Sequence, residues 1–150
     1  MINLQVKRPV KLPFEKSRLI RAAWLTLESQ DKASTCDMSI VVGDDALLKS
    51  LNQKYGHHAA TTDVLSFSTN EPDPDAQTLY LGDVVISFPR AQEQSHSAGH
   101  PLADELQLLV VHGTLHLLGF DHLDPVDKKN MQSRQDEILQ QLGIGLKIDL

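Results

Sequence analysis

An α+β fold in a single domain is what this sequence predicts: a small mixed β-sheet packed with helices, and a central buried helix carrying two candidate metal-ligand histidines. Three observations lead there. Four segments read as strands and five as helices, and their order lacks the strict alternation of a doubly wound parallel sheet. One of the helices is apolar on every side, which means burial. The chain has 150 residues, 41% of them hydrophobic, and at that length roughly 68 to 70% of the unfolded chain's surface can be buried in one core. One domain over residues 1–150 is therefore expected. The only cysteine, Cys36, excludes an intrachain disulfide and a multi-cysteine zinc ribbon.

Ile2 to Lys7 sets Ile2, Leu4 and Val6 against Asn3, Gln5 and Lys7, the period of a half-buried strand, and Pro9 and Pro13 close it off. Phe14 to Ser29 repeats Leu19, Ile20, Ala23, Trp24 and Leu27 at helical spacing. Met38 to Val42 suits a second strand, after which Gly43 and Asp44 form the turn and N-cap of a helix over Asp45 to Lys54. Val64 to Phe67 reads as a third strand. Ser68 to Gln77, rich in proline and acid, reads as a loop, and Leu79 to Phe88 as a fourth, buried strand. A short helix is expected over Arg90 to Ser97, broken at Gly99 and Pro101. The apolar helix then starts near Leu102, carries Asp104 and Glu105 in its first turn and stops at Gly119. Pro125 to Leu142 makes the last helix, with Met131, Ile138 and Leu142 on its apolar side.

Net charge is −6, which argues against nucleic-acid binding by bulk electrostatics. The average hides an asymmetry. Residues 1–32 hold seven basic groups (Lys7, Arg8, Lys11, Lys16, Arg18, Arg21, Lys32) against three acids, so a polyanion should meet the N-terminal part. The start of the chain lacks the apolar core of a signal peptide, and no apolar run nears the ~18 residues of a membrane span, so a cytoplasmic protein is expected.

The chemistry is concentrated in Val111 to His122. On a helix four residues advance ~6 Å and turn ~400°, so His112 and His116 lie one above the other on one face, able to share a metal ion. Gly119 can take a positive φ, end the helix and let His122 swing back as a third ligand. Three imidazoles with an open fourth position describe a catalytic zinc site, one Zn2+ per chain. A single histidine in such a helix would more often be a hydrogen-bonded core residue; three at this spacing favour a metal. His96 and His100 are also four apart, but Gly99 and Pro101 interrupt any helix across them, and both are expected at the surface. His57 and His58 are expected to be solvated loop residues.

The spacing H-x3-H-x2-G-x2-H also occurs in metzincin peptidases, where a glutamate after the first histidine is the general base. Here that position is Gly113, and Glu105, on a similar face, is two turns and ~10 Å away. Gly113 either lets a neighbouring element pack closely or leaves access for substrate.

The run His112-Gly113-Thr114-Leu115-His116-Leu117-Leu118-Gly119-Phe120-Asp121-His122 follows Thr62-Asp63-Val64-Leu65-Ser66-Phe67 and Leu81-Gly82-Asp83-Val84-Val85-Ile86-Ser87. Together they resemble the YbeY family of rRNA-maturation endoribonucleases over nearly the whole chain. The resemblance implies an α+β fold, one zinc held by His112, His116 and His122, single-strand-directed RNA hydrolysis, and a role in rRNA processing and ribosome quality control. It points to ribosomal RNA and ribosomal proteins as partners. One position departs: the family usually reads Asn-x-x-Tyr-Arg before its Thr-Asp-Val-Leu-Ser-Phe strand, and this chain has Asn52-Gln53-Lys54-Tyr55-Gly56. Arginine is the natural bidentate partner of a phosphate, and Lys54 and His57 are the nearby candidates to replace it. Ala59 and Thr61 replace the family's aspartate and proline in the same loop. The alternatives are an assembly factor with a structural zinc and, third, a metzincin-like peptidase.

Overall fold

The computed structural model describes residues 1–55 and 63–145. Its elements are β1 (Ile2–Val6), α1 (Ser17–Glu28), β2 (Cys36–Gly43), α2 (Asp45–Tyr55), β3 (Val64–Asp73), β4 (Thr78–Ser87), α3 (Phe88–Ala98), α4 (Leu102–Leu117) and α5 (Pro125–Gln141). The four strands form one mixed sheet in the order β1-β2-β4-β3. β1 and β4 each run parallel to β2, with Leu4 opposite Ile40 and Ile40 opposite Val84, and β3 runs antiparallel to β4 with Ser66 opposite Val84. The expected α+β class and small mixed sheet are both present.

Alternation along the strands divides the sheet into two unequal faces. Met38, Ile40 and Val42 of β2 and Val84 and Ile86 of β4 are buried in the main core with Leu19 and Leu27 of α1 and much of α4. On the other face Leu65 and Val85 meet Leu48 of α2 in a smaller cluster. α4 thus lies inside the molecule, and its all-round apolar surface follows from that.

Two expectations are corrected. Residues 68–73 are strand, not loop: β3 continues through Pro72 to Asp73, with an irregularity between Ser68 and Glu71. A proline is tolerated there because β3 is the edge of the sheet, so one side of its backbone needs no strand partner. The reversal is confined to the residues after Asp73, whose Oδ1 accepts from the backbone N–H groups of Asp75 and Ala76 at 3.1 and 3.2 Å. The second correction is small: α3 begins at Phe88, before the proline, because Pro89 fits the first helical turn and the Ser87 hydroxyl caps it by accepting from the Arg90 N–H.

α4 crosses the sheet at Gly113. A Cβ on that residue would stand 2.5 Å from Val84 Cγ1 and 3.3 Å from Ser66 Oγ. The Ser66 hydroxyl donates to the Gly113 carbonyl at 3.0 Å. Of the two sequence readings of Gly113, close packing is the one this contact supports. No described helix is long and apolar enough to cross a membrane.

Candidate metal centre

The end of α4 builds the site. Leu118 caps the helix, and Gly119 follows at φ +98°. The Gly119 N–H donates to the His116 carbonyl and the Phe120 N–H to the Leu115 carbonyl, both at 3.0 Å. These two bonds form a Schellman motif, which reverses the chain over a left-handed glycine. The reversal brings His122 back over the helix: its ring centroid is 5.7 Å from that of His112 and 5.2 Å from that of His116. One ligand atom from each of the three histidines lies within 4.8 Å of the others. His112 and His116 are half-buried and His122 is exposed, so the cluster opens to solvent on one side.

The outward nitrogens decide what the inward ones can do. His116 Nδ1 lies 3.0 Å from the Phe120 carbonyl oxygen, which can only accept, so Nδ1 carries the proton. His112 Nδ1 lies 3.1 Å from Oε1 of Gln135, on α5. The two Nε2 atoms face each other at 3.1 Å, and with both Nδ1 protons directed outward to these oxygens they would meet lone pair to lone pair. That contact is repulsive unless a cation is shared. A proton is a poor candidate, because burial, then the neighbouring His116 charge, push the pKa of His112 down to about 4. His116 is also lowered, chiefly by burial. Bonds of about 2.0 to 2.1 Å would hold the nitrogen ligands of a tetrahedral zinc roughly 3.3 Å apart, near the 3.1 Å between His112 and His116, and with the whole set within 4.8 Å a small ring movement would bring the third nitrogen in. The residues therefore fit a divalent, nitrogen-preferring metal ion.

The family is decided by comparison. A family model described as endoribonuclease YbeY matches residues 2–143. The chain belongs to the endoribonuclease YbeY family. Curated relatives of that name include one from Roseiflexus sp. (strain RS-1), 40% identical over 96% of this chain and 94% of its own length. Another, from Moorella thermoacetica, is 39% identical over 97% and 96%. Among solved structures, the solution structure of a Thermotoga maritima protein superposes with a TM-score of 0.60, covering 95% of this chain and 89% of that one at 22% identity. That likeness bears on the fold.

Other sequence candidates fall elsewhere. His96 is exposed near the end of α3, as expected. His100 is not the surface residue expected: its side chain is only 10% exposed and is hydrogen-bonded to Glu105, which is fully buried. The break at Gly99, φ +74°, turns the chain so that His100 folds inward against α4. Lys54 is exposed in the last turn of α2. Gly56, His57, His58, Ala59 and Thr61 lie outside the described residues.

Two partners of the ring nitrogens escape the sequence reading, Gln135 and the Phe120 carbonyl. The carbonyl leaves no side-chain signal. Gln135 does leave one, being four residues after Met131 and three before Ile138, inside the buried stripe of α5, where a polar side chain 1% exposed calls for a partner.

Proposed function

We propose that the protein is a zinc-dependent, single-strand-directed endoribonuclease acting in rRNA maturation and ribosome quality control. The observation that carries the reading is the cluster of His112, His116 and His122, with the Nε2 atoms of the first two 3.1 Å apart, in a chain of the endoribonuclease YbeY family. His112, His116 and His122 would hold one Zn2+. Bound there, zinc supplies Lewis-acid chemistry, acidifying a water or polarising a phosphoryl oxygen. The Phe120 carbonyl orients His116, and the exposed His122 side admits substrate. The seven basic side chains of residues 7–32 are all exposed, which supports an RNA backbone meeting that part of the surface. Ribosomal RNA and ribosomal proteins are the proposed partners, and the cytoplasm the proposed location. Lys54 and His57 are the proposed cations at the scissile phosphate.

A peptidase is disfavoured by Gly113. In metzincins the corresponding side chain is the base, whereas a side chain here would be driven into Val84 and Ser66. The second reading, an assembly factor with a structural zinc, is favoured by Gly56 standing where the family usually has arginine.

The test joins metal analysis to cleavage of structured RNA and of casein, each with and without chelator. One zinc per chain with chelator-sensitive RNA cleavage and intact casein is the expected result. Casein cleavage lost in His112→Ala would reverse the ranking. Single-turnover assays at fixed salt then separate the two readings. Restoring the guanidinium with Gly56→Arg should raise the rate ~10² or more, the size of a lost transition-state donor, where no native cation fills that role. Where Lys54 or His57 fills it, Lys54→Ala or His57→Ala should lower the rate instead. Bound zinc with no cleavage by any of these proteins would leave the assembly factor.

A further inference from the structure

We propose that Gln135 is a positioning residue for the metal centre, fixing His112 in the Nδ1–H tautomer and holding its ring with Nε2 turned to the ion. The proposal rests on the zinc reading above and names the side chain by which α5 governs it.

Packing alone does not account for an amide at this place. Gln135 is 1% exposed and sits between Met131 and Ile138 in the buried stripe of α5. A leucine or methionine would fill that volume without the cost of burying an amide. The partner that accounts for the amide oxygen is His112 Nδ1, at 3.1 Å and 23 residues away in sequence. An oxygen in that position selects one of the two neutral tautomers, the one whose Nε2 is free to bind a metal. The equivalent duty for His116 falls to a backbone carbonyl, that of Phe120, which is supplied by the turn itself. His112 has no such local carbonyl assigned to it, because it lies a full turn before the helix end. Its ring is therefore oriented by a different element, and the geometry of the site depends on how α5 docks on α4.

The charge of the orienting group matters too. The glutamine oxygen accepts from the proton-bearing nitrogen without adding negative charge, so an ion held by the three imidazoles would keep its full positive charge facing the open side. A polyanionic substrate meets that charge undiminished. A glutamate in the same place would accept the same hydrogen bond while cancelling part of it.

The full-length chain serves for the experiment, with Gln135→Met removing the acceptor at similar length and Gln135→Glu keeping it. Zinc affinity is measured by competition with a chromophoric chelator, and the tautomer of His112 by nitrogen-15 shifts of the metal-free protein at neutral pH. Gln135→Met should weaken zinc binding about 10- to 100-fold, as loss of an orienting partner does, and should release His112 into a mixture of tautomers. Gln135→Glu should restore zinc affinity to the native level or above and restore the Nδ1–H tautomer. A role in packing alone forecasts no such rescue by a buried carboxylate. Native zinc affinity in Gln135→Met, equal weakening in both variants, or an Nε2–H tautomer in the native protein would each overturn the proposal. If the native protein binds no zinc, the zinc reading fails and the metal half of this proposal fails with it. The tautomer measurement, made without metal, still decides whether Gln135 holds the His112 proton.

Discussion

His96 and His100 stand four residues apart around the junction of α3 and α4, as His112 and His116 do within α4, and the two pairs end in opposite electrostatic settings. At the first, Gly99 ends the helix, His96 stays in solvent, and His100 turns inward to hydrogen-bond Glu105. Burial raises the pKa of Glu105 and its bond to His100 pulls it back down, so this end of α4 is a carboxyl and an imidazole that answer each other. At the second, a continuous helix keeps both rings on one face. Each Nδ1 is answered by a neutral oxygen, and the two Nε2 atoms are left facing each other. Spacing brings two imidazoles together only when the helix is unbroken, and the partner of the outer nitrogen decides whether the inner one is free for a metal.

The largest effect should separate the two ends outright. His116→Ala is expected to reduce bound zinc from about one per chain to near zero, because two imidazoles alone bind it weakly. His96→Ala and His100→Ala should leave zinc content unchanged. Equal zinc loss on mutating His100 would erase the difference between the two pairs.

The converse experiment reads stability. His100→Ala leaves the Glu105 carboxyl in the core without its partner, and removal of one member of a buried pair costs about 3 to 5 kcal/mol, less where the carboxyl stays protonated. Replacing both residues by leucine should recover most of that loss, measured as the urea midpoint of the metal-free protein. A His100→Ala protein as stable as the native one would show that the pair contributes nothing.

Between the two ends, Gly113 fixes how closely α4 lies on the sheet. Gly113→Ala places a methyl group 2.5 Å from a branch of Val84, a side chain stiff at χ1, and should cost about 1 to 3 kcal/mol as overpacking does. Thermal unfolding of the metal-free variant measures it. An unchanged midpoint would mean that α4 can lift without strain.

Acid should pull the two ends in opposite directions. An unfolded histidine takes its proton near pH 6.5, whereas buried His112 resists until about pH 4. The unfolded chain thus binds more protons in that window, and the metal-free protein should lose stability as pH falls through it, by about 1.4 kcal/mol per pH unit for one such group. Glu105 works against this, since its raised pKa makes the folded state take up a proton first, a contribution present at low pH and lost as pH rises. Glu105→Gln should therefore steepen the acid loss. Urea midpoints of both proteins at several pH values between 7 and 4 test both halves, and a flat profile in Glu105→Gln would contradict the depressed His112.

Much of this was legible in the residues. Alternation in β1 and β2, the Asp44 cap of α2 and the all-apolar surface of α4 name their elements directly, and the His112, His116, Gly119, His122 spacing named the cluster that the fold assembles. The errors share a physical cause. Ser68 to Asp73 carries loop-like residues, yet an edge strand accepts them because one side of it is unpaired; that freedom belongs to the sheet, not to the segment. His100 reads as a surface residue because a break in a helix says that the chain turns and not which way the next side chain faces. The partner of Gln135 is 23 residues distant, beyond the reach of any local pattern.

The Gly119 turn has a further consequence for the order in which the molecule comes together. It gathers all three histidines from residues 112–122, so closing the site involves only a short loop and little chain entropy. Contacts of such low sequence separation form early compared with the pairing of β2 with β4, whose partners Ile40 and Val84 are far apart in the chain. A metal ion captured by that turn would tether the end of α4 before the sheet closes. In the finished protein its removal would loosen residues 112–122 and the adjoining start of α5 first, leaving the strands protected from hydrogen exchange.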